Sequence, residues 1–474
     1  MSFSTMLFLL LFLPVYLLFY YTAGSIHAKN IVLLVASLIF YAFGGIRYLL
    51  LLLVMAAAGW LAGILIEKSE GKPVARTYLI LSVAVFLTVL GIFKYTGFFV
   101  GTLGAVLKKG WTVEIALPLG ISFYTFKLIS YAADVYHGRV EAERSYPAFL
   151  LYIANFHQVL QGPIQTYADM KKELFSRKVS PSMISAGIWR FSVGMAKKTI
   201  LADHCGELAD LLIPLSDQVA SAPTLAVWIG SAIYTMQIYL DFSAYTDMAV
   251  GLGKMAGFHY PENFNEPYTA VSVKDFWRRW HMTLSSFFRD YVYIPLGGSR
   301  VSPSRTTVNL LVVWVLTGLW HGASWNFVLW GMFYFVLIVF ENRMIRMNRK
   351  PWPVVLQHIY TIFVFNFGWL IFRFSDFGQL GSAVRGFFGL SGSFTSAAVR
   401  LNVMNNIWFL IFCVLACTPF FKKLEKYLEK LTVRNRKPAA VIFASKTVLA
   451  AVLLLLSLFM MTGSTYTPFL YNQF

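Results

Sequence analysis

Apolar runs long enough to cross a bilayer, roughly 20 residues of helix, recur along the whole of this 474-residue chain. They lie near 4–23, 30–44, 47–66, 77–100, 115–136, 184–201, 224–250, 307–321, 325–342, 356–374, 404–421 and 440–461. Read as helices, they predict an all-α polytopic integral membrane protein with about a dozen transmembrane or re-entrant helices. Several runs are shorter than a full crossing, so some are expected to be buried or re-entrant. The stretch 148–166 is one of these, because Asn155, His157, Gln158, Gln161, Gly162 and Pro163 interrupt it. Broken backbone at membrane depth is tolerated only where it is buried in protein or lines a wet cavity. No repeat, low-complexity tract or loop of soluble-domain size interrupts the pattern, so residues 1–474 read as a single membrane domain.

Composition agrees. The chain is 58% hydrophobic and only 13% charged, against about 25% charged in soluble proteins. Lys and Arg outnumber Asp and Glu by 40 to 22, a net charge of +18. In a soluble chain that excess would suggest nucleic acid. Here it reads as the Lys and Arg that membrane proteins collect in cytoplasmic loops, and no nucleic-acid partner is expected. Of the three cysteines, Cys413 and Cys417 share a helix face and Cys205 stands alone, with no disulfide framework or metal-ligand spacing. Residues 1–21 lack a basic leader and read as a retained first span.

The loops orient the chain. Arg343 to Lys350 is strongly basic, as is the stretch holding Lys422, Lys423, Lys426, Lys430, Arg434, Arg436 and Lys437. Both are expected in the cytoplasm. Two predicted spans separate them, the even number this requires, and the intervening 375–403 is rich in Gly and Ser. Counting back, His321 falls near the outer end of its helix. Arg278, Arg279, Arg289 and Arg300 fall in a basic segment on, or dipping in from, the inner face.

Two histidines, each preceded by tryptophan, stand in this apolar setting: Trp280-His281 and Trp320-His321. An ionisable side chain at membrane depth is a functional candidate. Gly322 and Ala323 leave room for groups to approach His321. A neutral imidazole in a low-dielectric site is available as a base for a hydroxyl within hydrogen-bond reach. The alternative is a buried histidine bonded to a backbone carbonyl. His281 reads as a second base, a binding group or an interfacial histidine facing headgroups. Around it, Trp277, Trp280, His281, Leu284, Phe287, Phe288 and Tyr291 follow the spacing of one helix face over 274–296, with Arg278 and Arg289 on another. That pattern fits an interfacial amphipathic helix, and its arginines also fit phosphate binding. Asp241 and Asp247 are carboxylates at membrane depth, expected to orient a histidine, pair with an arginine or hydrate a tunnel. A proton relay in a glycan transporter or flippase is the competing reading. No nucleophile elbow, Walker loop, dinucleotide glycine motif or His-Glu-x-x-His zinc motif occurs, and no metal is expected.

With these residues in view, Phe276-Trp277-Arg278-Arg279-Trp280-His281, Phe288-Arg289-Asp290-Tyr291 and Gly318-Leu319-Trp320-His321-Gly322-Ala323 resemble the membrane-bound O-acyltransferase (MBOAT) family. The resemblance extends to Phe93-Lys94-Tyr95, Pro118 to Tyr124, Gln161-Gly162-Pro163-Ile164, Asp241 to Gly251 and Pro468-Phe469-Leu470-Tyr471. Within the family these segments are most similar to the bacterial, alginate-type polysaccharide O-acetylation branch, and also resemble the D-alanyl transferases of teichoic acids. The resemblance implies a helical fold around a central funnel or tunnel. It implies catalysis by His321, with His281 at the second catalytic position. Arg278, Arg279, Arg289, Trp277, Trp280, Trp320 and Asn326 are expected near the donor or substrate, and Asp241 and Asp247 behind them. No permanently bound cofactor is implied. The acyl donor would be a cytoplasmic thioester, acetyl-coenzyme A or a carrier protein's phosphopantetheine, and the acceptor an extracellular polysaccharide. Family members in exopolysaccharide pathways work with an SGNH-type extracytoplasmic acetyltransferase, which no part of this chain supplies. A multi-pass place in a bacterial cell membrane follows from the same resemblance.

Overall fold

The computed structural model describes residues 1–348, 350–434, 436–463 and 469–470, and every regular element among them is a helix. Arg349, Pro468 and Tyr471 lie outside the described residues, as do the side chains of Arg434, Arg436 and Lys437. The helices that position the site are α1 (Ile46–Lys68), α2 (Pro73–Val106), α3 (Ile121–Tyr136), α4 (Pro181–Ala196), α5 (Thr224–Met255), α6 (Val273–Arg279), α7 (Met282–Phe288), α8 (Pro303–His321), α9 (Trp325–Arg346) and α10 (Val354–Arg373).

The expected spans divide into two kinds. Five described helices are long and apolar enough to cross a membrane: α1, α2, α9, α10 and Ala440–Gly463. Ala397–Asn405 and Ile407–Ala416 together make a sixth if their 61° bend lies within one crossing. Phe8–Thr22 and Ile26–Ala42 are apolar but shorter. The runs read at 115–136, 184–201, 224–250 and 307–321 also form helices. They carry Lys127, Asp134, Lys198, Asp241, Asn309 and His321, all buried. α5 is buried on nearly every side, so its polar groups face protein.

The interior aspartates are paired, Asp134 with Arg139 at 3.1 Å. Lys198, in the π-helical continuation of α4, places Nζ 2.9 Å from Asp241 Oδ1 and 2.7 Å from Asp203 Oδ1. Asp241 Oδ2 also accepts the backbone N–H of Leu470 at 2.9 Å, and Phe469 lies under Lys198 Nζ at 4.6 Å. Phe469 and Leu470 of the C-terminal motif thus dock on the core. Asp247 pairs with Arg190 at 2.9 Å and Lys197 at 2.7 Å. A removed partner would strand a charge in a poorly solvated interior.

The interrupted stretch after the Tyr146–Ala154 helix is buried irregular backbone, as the sequence predicts. Asn155, His157, Gln158 and Gln161 are each at most 1% exposed. Lys127 Nζ donates to Gln158 Oε1 at 2.9 Å and to the Tyr152 carbonyl at 3.0 Å. Gly120 makes this seat possible. Its φ is +70°, and a Cβ there would lie 2.0 Å from the Val159 carbonyl oxygen. His157 packs edge-on to Phe156 and bonds Tyr260 Oη at 3.0 Å. Cys205, isolated in sequence, sits 3.7 Å from Cys413 Sγ to Sγ.

Candidate active site

The helix expected over 274–296 is broken at its centre. α6 ends at Arg279, α7 begins at Met282, and His281 between them adopts φ 44° and ψ 53°. That left-handed conformation costs a non-glycine residue about 1–2 kcal/mol, so the surroundings must impose it. They do so through an irregular stretch 18 residues upstream. Asn265 N–H donates to the Arg279 carbonyl, and Met282 N–H donates to the Asn263 carbonyl, both at 2.9 Å. The Asn263 side-chain oxygen accepts from Thr283 N–H at 3.3 Å and Thr283 Oγ1 at 2.9 Å, and lies 3.0 Å from His281 Nδ1. Thr283 Oγ1 in turn accepts the N–H of Ile164 at 3.1 Å, which ties the Gln161–Ile164 motif to the break. At the far end of α6, the Glu341 carboxylate of α9 accepts the N–H groups of Val273 and Lys274 at 2.8 and 3.1 Å. An acid there suits the positive end of a helix.

His321 is the last residue of α8. The carbonyls that a helix end leaves without intrahelical partners are met from α2. Tyr95 Oη donates to the Leu319 carbonyl at 2.9 Å, and the Lys94 ammonium donates to the Trp320 carbonyl. A cation is favoured at this end of the helix dipole. α8 and α9 touch backbone to backbone here. A Cβ on Gly318 would lie 2.4 Å from the Phe327 carbonyl oxygen, and one on Gly331 would lie 2.4 Å from that of Trp314. The His321 ring is walled by Trp330 and Phe372, with centroids at 4.9 and 5.3 Å.

Both histidines line one cavity of about 240 Å³. Lys274, Arg278 and Arg289 line it too, with Trp277 and Trp314 among its aromatic walls. On α8 its lining runs from Leu310 through Val313, Trp314 and Thr317 to His321, roughly 16 Å at the 1.5 Å rise per residue of a helix. The cavity therefore extends from His321 back toward the basic end of α8. Trp320 sits behind it and touches both histidines, 5.6 Å from His281 and 5.0 Å from His321 between ring centroids.

Other expected site residues lie outside the lining. Arg279 bonds Asp275 and Thr269, at 3.0 and 3.3 Å. Trp280 is buried against Phe264 and Trp369. Asn326 Nδ2 donates to the Phe372 carbonyl at 3.1 Å and so fixes the start of α9 to the end of α10. Asp241 and Asp247 hold the ion pairs described above, and neither bonds a histidine among the described residues. Asn263, Thr283 and Lys274 complete the site without having been singled out by sequence. Their types carry no signal, because only the fold brings 263 beside 281. Among the described residues no three His, Cys, Asp or Glu side chains are grouped to hold a metal ion.

Comparison with known proteins agrees with this geometry. The profile of the MBOAT, membrane-bound O-acyltransferase family, matches residues 140–378, which hold every lining residue of the cavity. The chain is 34% identical to the probable alginate O-acetylase AlgI of Azotobacter vinelandii, over all of both chains. It is 33% identical to the peptidoglycan O-acetyltransferase of Helicobacter pylori, covering 82% of this chain and 80% of that protein. Identity to the teichoic acid D-alanyltransferase of Bacillus subtilis is 28%, over 55% of this chain and 69% of that one. The cavity with its two histidines thus lies in a chain that belongs to the membrane-bound O-acyltransferase family and is itself a membrane O-acyltransferase.

Proposed function

We propose that the protein moves an acetyl group from a cytoplasmic thioester across the bacterial cell membrane to a hydroxyl of an extracellular polysaccharide, directly or through an SGNH-type extracytoplasmic partner. The observation that carries this reading is the single cavity lined by His281, His321, Lys274, Arg278 and Arg289. Relatives named as an alginate O-acetylase and a peptidoglycan O-acetyltransferase support acetyl and polysaccharide as the group and the acceptor. The chain crosses the membrane several times, and the cavity is the inner part of a passage through it.

In this reading the cations at the basic end of the cavity attract the phosphates of the donor. Arg278 is the exposed one of the pair on α6, and its planar guanidinium suits a phosphate. The donor's arm lies along α8 with its thioester near His321. His321 takes the proton of the attacking hydroxyl as oxygen bonds to the acyl carbon. The carbon–sulfur bond breaks, and the proton returns to the leaving thiolate. A positioned base contributes about 10²-fold to 10⁴-fold, and holding the two reactants together adds to that. The competing carrier reading rests on Asp241, Asp247 and the histidines; the ion pairs of Asp241 with Lys198 and of Asp247 with Arg190 and Lys197 favour a structural role for the two carboxylates.

Inside-out membrane vesicles test the donor and its side. Acetyl-labelled acetyl-coenzyme A supplied at the outer surface of such vesicles, their former cytoplasmic face, should label enclosed polysaccharide, and Arg278→Gln should raise the donor concentration needed. Labelling only from a carrier-protein thioester would replace acetyl-coenzyme A with that donor. Labelling only when the donor is enclosed would overturn the cytoplasmic assignment.

A further inference from the structure

From the bonds around the helix break, we infer that Asn263 is a positioning residue that fixes the tautomer of His281, holding the proton on Nδ1 and the lone pair on Nε2. The inference rests on the reading of this cavity as the acyl-transfer site.

The orientation of the Asn263 amide is not free. The atom facing Thr283 meets a backbone N–H, which can only donate. That atom is therefore the carbonyl oxygen, and the hydroxyl of Thr283 donates to the same oxygen while accepting from Ile164 N–H. His281 Nδ1 lies 3.0 Å from this oxygen. An amide oxygen only accepts, so Nδ1 must carry a proton. A neutral imidazole protonated at Nδ1 bears its lone pair on Nε2, and Nε2 is then the atom that takes or receives a proton in the cavity. The left-handed backbone of His281 serves the same end. It turns the ring onto Asn263, and such strain is retained where the surroundings over-determine it. Asn263 is 1% exposed and does not line the cavity, so it acts through His281 and not on substrate. An amide in this place, unlike a carboxylate, fixes the tautomer without favouring the charged imidazolium.

The ionisable groups that share the cavity with His281 are Lys274 and Arg278 on α6, Arg289 and Tyr293 after α7, and His321 on α8. Among the described residues no carboxylate side chain lines it. Replacing Asn263 with aspartate would place one against Nδ1.

The test uses the full chain in nanodiscs with ¹⁵N-histidine, the His281 signals being assigned by their loss in His281→Gln. Nitrogen shifts distinguish the two neutral tautomers directly and need no activity. Wild type should show His281 protonated at Nδ1, and Asn263→Ala should lose that preference. In acetyl transfer, Asn263→Asp should move the acid limb of the pH–rate profile up by about one unit or more, because an opposing carboxylate stabilises the protonated ring. Thr283→Val, which loosens the same break but keeps the Asn263–His281 bond, measures what destabilisation alone does to the rate, and its His281 should keep the wild-type tautomer. His281 found protonated at Nε2 in wild type, or an Asn263→Asp profile that superimposes on wild type, would overturn the inference. Full transfer by His281→Gln would instead overturn the catalytic reading of His281 and leave the tautomer result standing.

Discussion

Lys94 of α2 donates its ammonium to the backbone carbonyl of Trp320, the residue that precedes His321. A lysine 226 residues away in sequence thus caps the helix end that carries His321, the proposed base. A hydrogen bond of this kind contributes about 0.5–1.5 kcal/mol. Lys94→Met should lower acetyl transfer tenfold or more with a modest fall in melting temperature. Tyr95→Phe, which removes a neutral bond one residue earlier, should cost less in both. Transfer rates and thermal melts of the purified variants check the order.

The contact of Gly318 with Gly331 sets how closely α8 approaches α9. A methyl group at either position would overlap a backbone oxygen of the other helix, and backbone cannot swing away. Gly318→Ala and Gly331→Ala should each destabilise by about 1–3 kcal/mol and displace His321, with activity lost faster than stability. Gly381, beside which nothing lies within 4 Å, supplies the control. Gly381→Ala should lose neither activity nor stability.

Arg278 and Arg279 are neighbours with different work. Arg278 lines the cavity, whereas Arg279 is held by Asp275 within α6. Arg278→Gln should raise the KM for the thioester donor by about tenfold, or ~1.4 kcal/mol, with kcat little changed. Arg279→Gln should leave KM near wild type and lower the melting temperature. Steady-state kinetics on both variants, with melts, separate the two roles.

Asp241 should behave as a structural residue. Its carboxylate and Lys198 are each 2% exposed at the side chain, and removing one partner of a buried pair costs about 3–5 kcal/mol. Asp241→Asn should therefore fail to accumulate or melt well below wild type. Asp247→Asn, whose partners are more exposed, should be milder. Proton-gradient-dependent glycan flux lost selectively in a stable Asp241→Asn protein would return the carrier reading to favour.

How much of this was legible in the sequence follows from how far each interaction reaches along the chain. Helices and the burial of 148–166 were legible, because apolar runs and their polar interruptions are local. The two Trp-His dipeptides stood out for the same reason, and the fold brings both histidines to one cavity. The break at His281 was not legible. The period of Trp277, Trp280, Leu284 and Phe288 continues across it, and the residue that stabilises the break, Asn263, is brought in by the fold. The partners of Asp241 were hidden likewise, since Lys198 and Leu470 lie 43 and 229 residues away. Arg279 looked equivalent to Arg278 because sequence does not tell which arginine finds an aspartate one turn back.

The most direct measurement is acetyl transfer by purified protein in detergent, where no gradient exists. Labelled acetyl-coenzyme A or the carrier thioester is supplied with a polysaccharide acceptor, and wild type is compared with a His321→Ala variant whose melting temperature is preserved. A base role for His321 predicts transfer by wild type and a loss of at least about 10²-fold in the variant. Transfer by folded His321→Ala at the wild-type rate would contradict it.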